Sequence, residues 1–279
     1  MFKSGIFIRT LAVLMFLVSH KCFSVAIFWE SEDILMYQDP KKRLWEVGPT
    51  NFIGWYNPIT VKEDYFKALD LLMPHRPESP IIIRDGSVLP QIISDWLTNT
   101  QSSHEIKNFV LNGLKNLSKN HGKNTKVSQA IADFVFSPER YARTMVIQKK
   151  AKSLLKKCCE QKDSSGKKAN KNFLVTNWNA ESFACALSHK KIRTLMSYFD
   201  DRLISGDVHL AKPDPKFIQC ALKRFNIAPS EKVIYIDSEM NNIKAIQNLN
   251  IPNFHCIYVK DFDFKHLNKE LIRLGAFSK

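Results

Sequence analysis

Residues 25–35 read VAIFWESEDIL: strand-forming apolar residues, then three acids in four positions, Glu30, Glu32 and Asp33. A short apolar run of this kind fits a buried strand, with the abrupt charge falling at its carboxyl end. The same pattern recurs downstream. Residues 172–175 (NFLV) run into Thr176, residues 232–236 (KVIYI) run into Asp237, and residues 254–259 (FHCIYV) read as a further strand. Helical patterns follow the first two of these, over residues 180–187 and 242–249. Strands alternating with helices imply an α/β fold with a doubly wound, mostly parallel, Rossmann-type sheet, whose ligands bind outside the carboxyl ends of the strands. Glu30, Thr176 and Asp237 are therefore expected at one sheet edge.

Residues 37–137 break the alternation. They carry an aromatic and proline-rich stretch, LWEVGPTNFIGWYNP at 44–58, and then helical patterns at 62–72 and 88–98. A mostly helical insertion accounts for this span, with the aromatic stretch packing between insertion and core. The core would then comprise residues 25–36 and 138–279. Ser137-Pro138-Glu139 supplies an N-cap, a proline at the first turn and an acid near the positive end of the helix dipole. A helix is expected to start there and run to about residue 158.

Forty-one Lys and Arg against 27 Asp and Glu give a formal net charge of +14, which favours anionic ligands or surfaces without selecting one. Residues 148–172 hold nine lysines around a Ser-Ser-Gly break, with no aromatics interleaved to stack on bases. That composition reads as a solvated face and loop and argues against nucleic acid as a partner. At the amino terminus, Lys3 and Arg9 precede the apolar run 11–18, and a more polar stretch ends at Ser24. This is the layout of a signal peptide over residues 1–24, and the run is too short for a membrane helix of about 20 residues. The expectation is an exported chain, periplasmic or secreted, or a cytoplasmic one where the signal is not used. Of six cysteines, Cys22 leaves with that segment, and the other five form neither a CxxC pair nor a zinc-like spacing. Nothing in the sequence fixes an oligomeric state.

In chain order the strand-end residues spell the acidic cluster 30–33, LVTNW at 174–178, SGDVHLAKPDP at 205–215 and VIYIDSEMNN at 233–242. Carboxylates, a hydroxyl and an ammonium at one edge suit phosphoryl transfer, where a divalent cation takes carboxylate oxygens and a phosphoryl group takes hydroxyl, amide and ammonium donors. Each residue also has an ordinary use: Thr176, Asn177 and Asp237 as helix caps, Lys212 as a surface lysine before a turn. Their joint order resembles the haloacid dehalogenase (HAD) superfamily of hydrolases, with the helical insertion where that family carries its cap.

The resemblance implies roles residue by residue. Thr176 and Asn177 match the motif that donates to phosphate oxygens, Lys212 the lysine that stabilises charge, and Asp237 an acid that holds magnesium, with Ser238 where a second acid is common. In the first motif Glu30 falls at the nucleophile and Glu32 at the acid/base, both aspartate in the family, so Glu30, Glu32 and Asp237 form the implied Mg2+ set. Asp33 falls where glycine usually sits. A glutamate keeps the charge but carries its carboxylate one methylene further, and misplacement of about 1 Å costs on the order of a hundredfold in rate. The implied function is an ancestral magnesium-dependent phosphomonoester hydrolase acting on a small phosphorylated or anionic substrate, with activity weakened or lost. Dehalogenation, which uses the same nucleophile position without a metal, stays open. So does a non-catalytic protein that binds a cation, an anionic ligand or a partner.

Overall fold

The computed structural model describes residues 25–52, 58–74, 81, 86–121 and 125–278. The expected signal segment, 1–24, lies outside the described residues. Five parallel strands form the central sheet in the order β5-β4-β1-β6-β7. They are β1 (Val25–Trp29), β4 (Asn170–Thr176), β5 (Asp201–Ile204), β6 (Lys232–Asp237) and β7 (Phe254–Tyr258). A separate antiparallel ribbon pairs β2 (Met36–Gln38) with β3 (Met145–Ile147).

β1 is apolar throughout because it is covered on both faces. Successive side chains point to opposite sides of a strand. Ile27 and Trp29 accordingly join Leu174, Ile234 and Ile236 in one core, while Ala26 and Phe28 join Phe173, Val175, Val233 and Tyr235 in the other. Helices Lys149–Glu160 and Phe264–Arg273 close the first face, and Pro215–Arg224 and Met240–Gln247 close the second. Phe28 meets Phe173 and Phe225 edge-on at 5.8 and 5.6 Å, and Trp29 Nε1 donates to Asn172 Oδ1 at 3.1 Å, so both faces of β1 are pinned to β4. Each large apolar side chain buried here contributes about 1.5–3 kcal/mol.

Between β2 and β3 the regular elements among the described residues are helices, with an isolated bridge at Val88, around a third core that includes Tyr65, Leu69, Trp96, Val110, Leu114 and Phe136. The expected helix from Ser137 to residue 158 is instead two, Pro138–Thr144 and Lys149–Glu160, because Met145–Ile147 pairs with Met36–Gln38 and leaves the helical path. Ser137 does precede Pro138 at the N-cap position, but its hydroxyl makes no capping bond. β5 is a strand the sequence reading omitted; Asp201 and Arg202 are exposed at the sheet edge and only Leu203 and Ile204 are buried. The aromatic stretch does not seal the insertion to the core through Trp45, which is 78% exposed; residues 53–57 of that stretch lie outside the described residues. Among the described residues no helix is long and apolar enough to cross a membrane.

Candidate active site

The order β4-β1-β6 sets three strand ends side by side. Glu30 follows Trp29, which pairs with Leu174 and with Ile236; Thr176 ends β4 and Asp237 ends β6. Lys212 arrives from the segment after β5, and its side chain is 1% exposed. The structure thus brings Glu30, Thr176, Lys212 and Asp237 together on the floor of one cleft.

The floor is a dense hydrogen-bond network. Glu30 Oε1 accepts from the backbone N–H groups of Ser31 (2.6 Å) and Glu32 (3.0 Å) and from the Thr176 hydroxyl, while Oε2 accepts from Lys212 Nζ. Lys212 Nζ also donates to Asp237 Oδ2 at 2.7 Å and to the Val175 carbonyl at 3.3 Å. Asp237 Oδ1 accepts from the Glu239 N–H at 2.8 Å, and Oδ2 further accepts from the Tyr235 hydroxyl and from Asn242 Nδ2 (3.1 Å). Burial alone would lower the Lys212 ammonium, but Asp237 and Glu30 hold it above the usual lysine value, so it stays charged. Burial lifts the Glu30 carboxyl above the usual glutamate value against the pull of Lys212, with Asp237 adding to the rise. Tyr235 is raised as well, first by burial and then by Asp237, and remains a donor.

Asn177 lines the cleft, and its side chain reaches to Lys212. Its Oδ1 accepts from the Lys212 N–H at 2.8 Å and its Nδ2 donates to the Lys212 carbonyl at 2.9 Å, a two-point clamp that sets the backbone from which the lysine reaches in. Ser31, Tyr235 and Asn242 are site residues that the sequence reading gave no role. Tyr235 was within reach of a pattern argument, since it stands two residues before Asp237 and therefore on the same face of β6. Ser31 Oγ lies 2.7 Å from Thr176 Oγ1.

Above the floor lies a cleft of about 310 Å³, walled on the core side by Glu32, Asp33 and Glu239 and on the insertion side by Ile93, Trp96 and Tyr141. Glu32 faces the cleft and is exposed. The walls still remove much of its water, and Asp33, Glu30 and Glu239 add like charge, so its carboxyl is pushed up to about 8. Asp33 has φ +60°, the left-handed region that glycine enters freely. The insertion is tied down at the cleft by Ser205 Oγ to the Leu97 carbonyl (2.7 Å) and by Asn179 Nδ2 to the Trp96 carbonyl (2.8 Å). Beneath these ties Gly206 is required by close approach, because a Cβ there would lie 2.4 Å from Ala180 N. His209 is an exposed loop residue whose ring Nδ1 meets the Thr98 carbonyl at 2.8 Å.

Magnesium prefers six oxygens in an octahedron and needs carboxylate oxygens turned toward it. Both oxygens of Glu30 and both of Asp237 instead accept from protein donors, with Lys212 Nζ between the two acids. Among the described residues no group of three or more His, Cys, Asp or Glu side chains is arranged to hold an ion. The residues as placed do not fit the metal.

A doubly wound parallel sheet with a helical insertion and a Thr-Lys-Asp set at its strand ends defines a class of hydrolase fold. The chain belongs to the haloacid dehalogenase-like hydrolase family, whose model matches residues 89–255, more than half the chain and the part that holds Thr176, Lys212 and Asp237. Solved structures of similar fold include a HAD-family enzyme of Bacteroides thetaiotaomicron, at 17% identity and TM-score 0.52 over 88% of this chain and 97% of that one. The wild-type form of that enzyme in complex with magnesium and inorganic phosphate gives 15% identity and TM-score 0.53 over 88% and 98%. A HAD-like family hydrolase of Porphyromonas gingivalis gives 15% identity and TM-score 0.51 over 90% and 98%. No curated protein matches the chain in sequence.

Proposed function

We propose that this chain derives from magnesium-dependent phosphomonoester hydrolases and hydrolyses such esters weakly or not at all, with glutamates 30 and 32 standing where the family motif has aspartates. The observation that carries this reading is the Lys212 ammonium between the two strand-end acids, 2.7 Å from Asp237 Oδ2 and also hydrogen-bonded to Glu30. The cation that neutralises those carboxylates is the protein's own. A nucleophilic carboxylate must also present an oxygen to the cleft, and both oxygens of Glu30 are held by donors on the floor. Glu32, by contrast, faces the cleft with its carboxyl raised above the usual glutamate value, which suits a general acid. The Bacteroides enzyme crystallised with magnesium and inorganic phosphate supports a small anionic ligand as the class to test. Export through the 1–24 segment belongs to the same proposal.

The test is magnesium-dependent release of phosphate from p-nitrophenyl phosphate by the wild type, by the Glu30→Asp/Glu32→Asp double variant and by Asp237→Ala. Wild-type turnover at or near background is expected, with a gain of about a hundredfold over that background in the double variant as the attacking oxygen is restored to within about 1 Å. Robust wild-type turnover that disappears in Asp237→Ala would sink the reading. A non-catalytic binding role is the alternative, and magnesium binding by calorimetry without turnover would favour it, against the fit of the floor as placed.

A further inference from the structure

We propose that Glu30 is this pocket's own ligand: its carboxylate fills a latent oxyanion site, and an external anion of phosphate's size binds there only by displacing it. The inference rests on reading the floor as a former phosphate pocket. Besides the Ser31 hydroxyl at 3.3 Å, four donors from three parts of the chain close on one carboxylate. They are the consecutive backbone N–H groups of Ser31 and Glu32 (2.6 and 3.0 Å), the Thr176 hydroxyl and the Lys212 ammonium. Consecutive amides turned to one point form a nest for an anion, and an added hydroxyl and ammonium make it a charge-assisted one.

What fills this nest is the side chain of the residue immediately before it. The extra methylene of glutamate lets the carboxylate curl back over the amides of the next two residues, where it is 6% exposed. Nothing else among the described residues makes these four contacts. A free anion entering the nest meets an occupant tethered to the same chain, at an effective concentration of at least about millimolar even for a flexible tether. It also meets repulsion, since Glu30 displaced into the cleft would join Asp33 and Glu239.

The prediction is that truncating Glu30 opens the site. Isothermal titration with inorganic phosphate, in EDTA so that no metal takes part, should give the Glu30→Ala variant at least about tenfold tighter binding than the wild type. Adding Thr176→Val should remove most of that gain. The proposal is overturned if Glu30→Ala, with a near-ultraviolet circular dichroism spectrum matching the wild type, binds phosphate no better. A second measurement needs no variant: in crystals of the wild type grown in phosphate, any phosphate ion held by these donors should come with Glu30 swung out, and a phosphate in the nest with Glu30 still in place would overturn the proposal. The two readings fail separately. Wild-type phosphatase turnover with magnesium would defeat the proposed function while the metal-free titration stood, and a folded Glu30→Ala variant blind to phosphate would defeat only this inference.

Discussion

At the floor of the cleft Glu30 is 6% exposed, and its two oxygens accept from two amides, two hydroxyls and an ammonium. At the rim, two residues on, Glu32 faces solvent and is crowded by Asp33 and Glu239. One residue type thus serves two electrostatic tasks on a single turn. On the floor, acids alternate with donors, so charge is balanced inside and the strand ends are locked together. Along the rim, acids face acids, so charge is stored where the cleft meets water. The floor should govern whether the fold holds, and the rim how it responds to pH.

The largest effect is expected at Lys212, which bridges Glu30 and Asp237. Lys212→Met leaves two carboxylates facing each other without a counter-charge. Removing one partner of a buried ion cluster costs about 3–5 kcal/mol, because the groups left behind keep their desolvation penalty. Urea denaturation at pH 7 measures this. A second substitution, Glu30→Gln, should restore part of the loss, since the two residues act as a pair and their effects do not add. A loss below about 1 kcal/mol in Lys212→Met would mean that the floor behaves like a surface pair, and the contrast with the rim would fall.

How much of this was legible depends on the distance over which each feature is decided. β1, β4 and β6 could be read because buried strands are nearly continuous apolar runs, and β7, an edge strand with only Ile257 buried, because its sequence is still rich in strand formers. β5 escaped because its first two residues, Asp201-Arg202, are charged and read as loop. The break at 145–147 escaped because the pairing with 36–38 is settled more than a hundred residues away in sequence. Within the site, the strand-end position of Glu30, Thr176 and Asp237 follows from local pattern. The clamp that Asn177 puts on Lys212, and the fact that Glu30 turns back onto its own following amides, follow from tertiary approach, which no spacing encodes. The family model begins at residue 89 and so leaves the first motif outside its span. There Asp33 stands at the motif's usual glycine position and takes the left-handed φ of +60° that glycine enters freely.

That turn offers a smaller way to sharpen the comparison. Asp33 holds φ +60°, which costs an ordinary L-residue about 1–2 kcal/mol and aspartate less, since its short polar side chain tolerates this region. Asp33→Gly relieves the strain and removes one rim charge, against a gain in unfolded-chain entropy. A net stabilisation of about 0.5 kcal/mol is expected in thermal melts. Destabilisation would mean that the side-chain interactions of Asp33 hold the turn, and that the rim contributes structure as well as charge.

The smallest effect concerns Glu32, and its signature is a slope. The folded carboxyl sits at about 8 against an ordinary 4.5, so between those values the folded state binds more protons than the unfolded chain. Stability must then fall as pH rises through that window, the reverse of what a salt-bridged acid contributes. Glu32→Gln has no such proton to lose. In metal-free buffer its stability should track the wild type near pH 4.5 and exceed it increasingly toward pH 8. Solvent screening of a cleft-facing group holds the difference to less than about 0.5 kcal/mol. Denaturation at a series of pH values measures the two slopes. Parallel curves would mean that the rim acids are fully hydrated, and the distinction between a balanced floor and a charged rim would then reduce to burial alone.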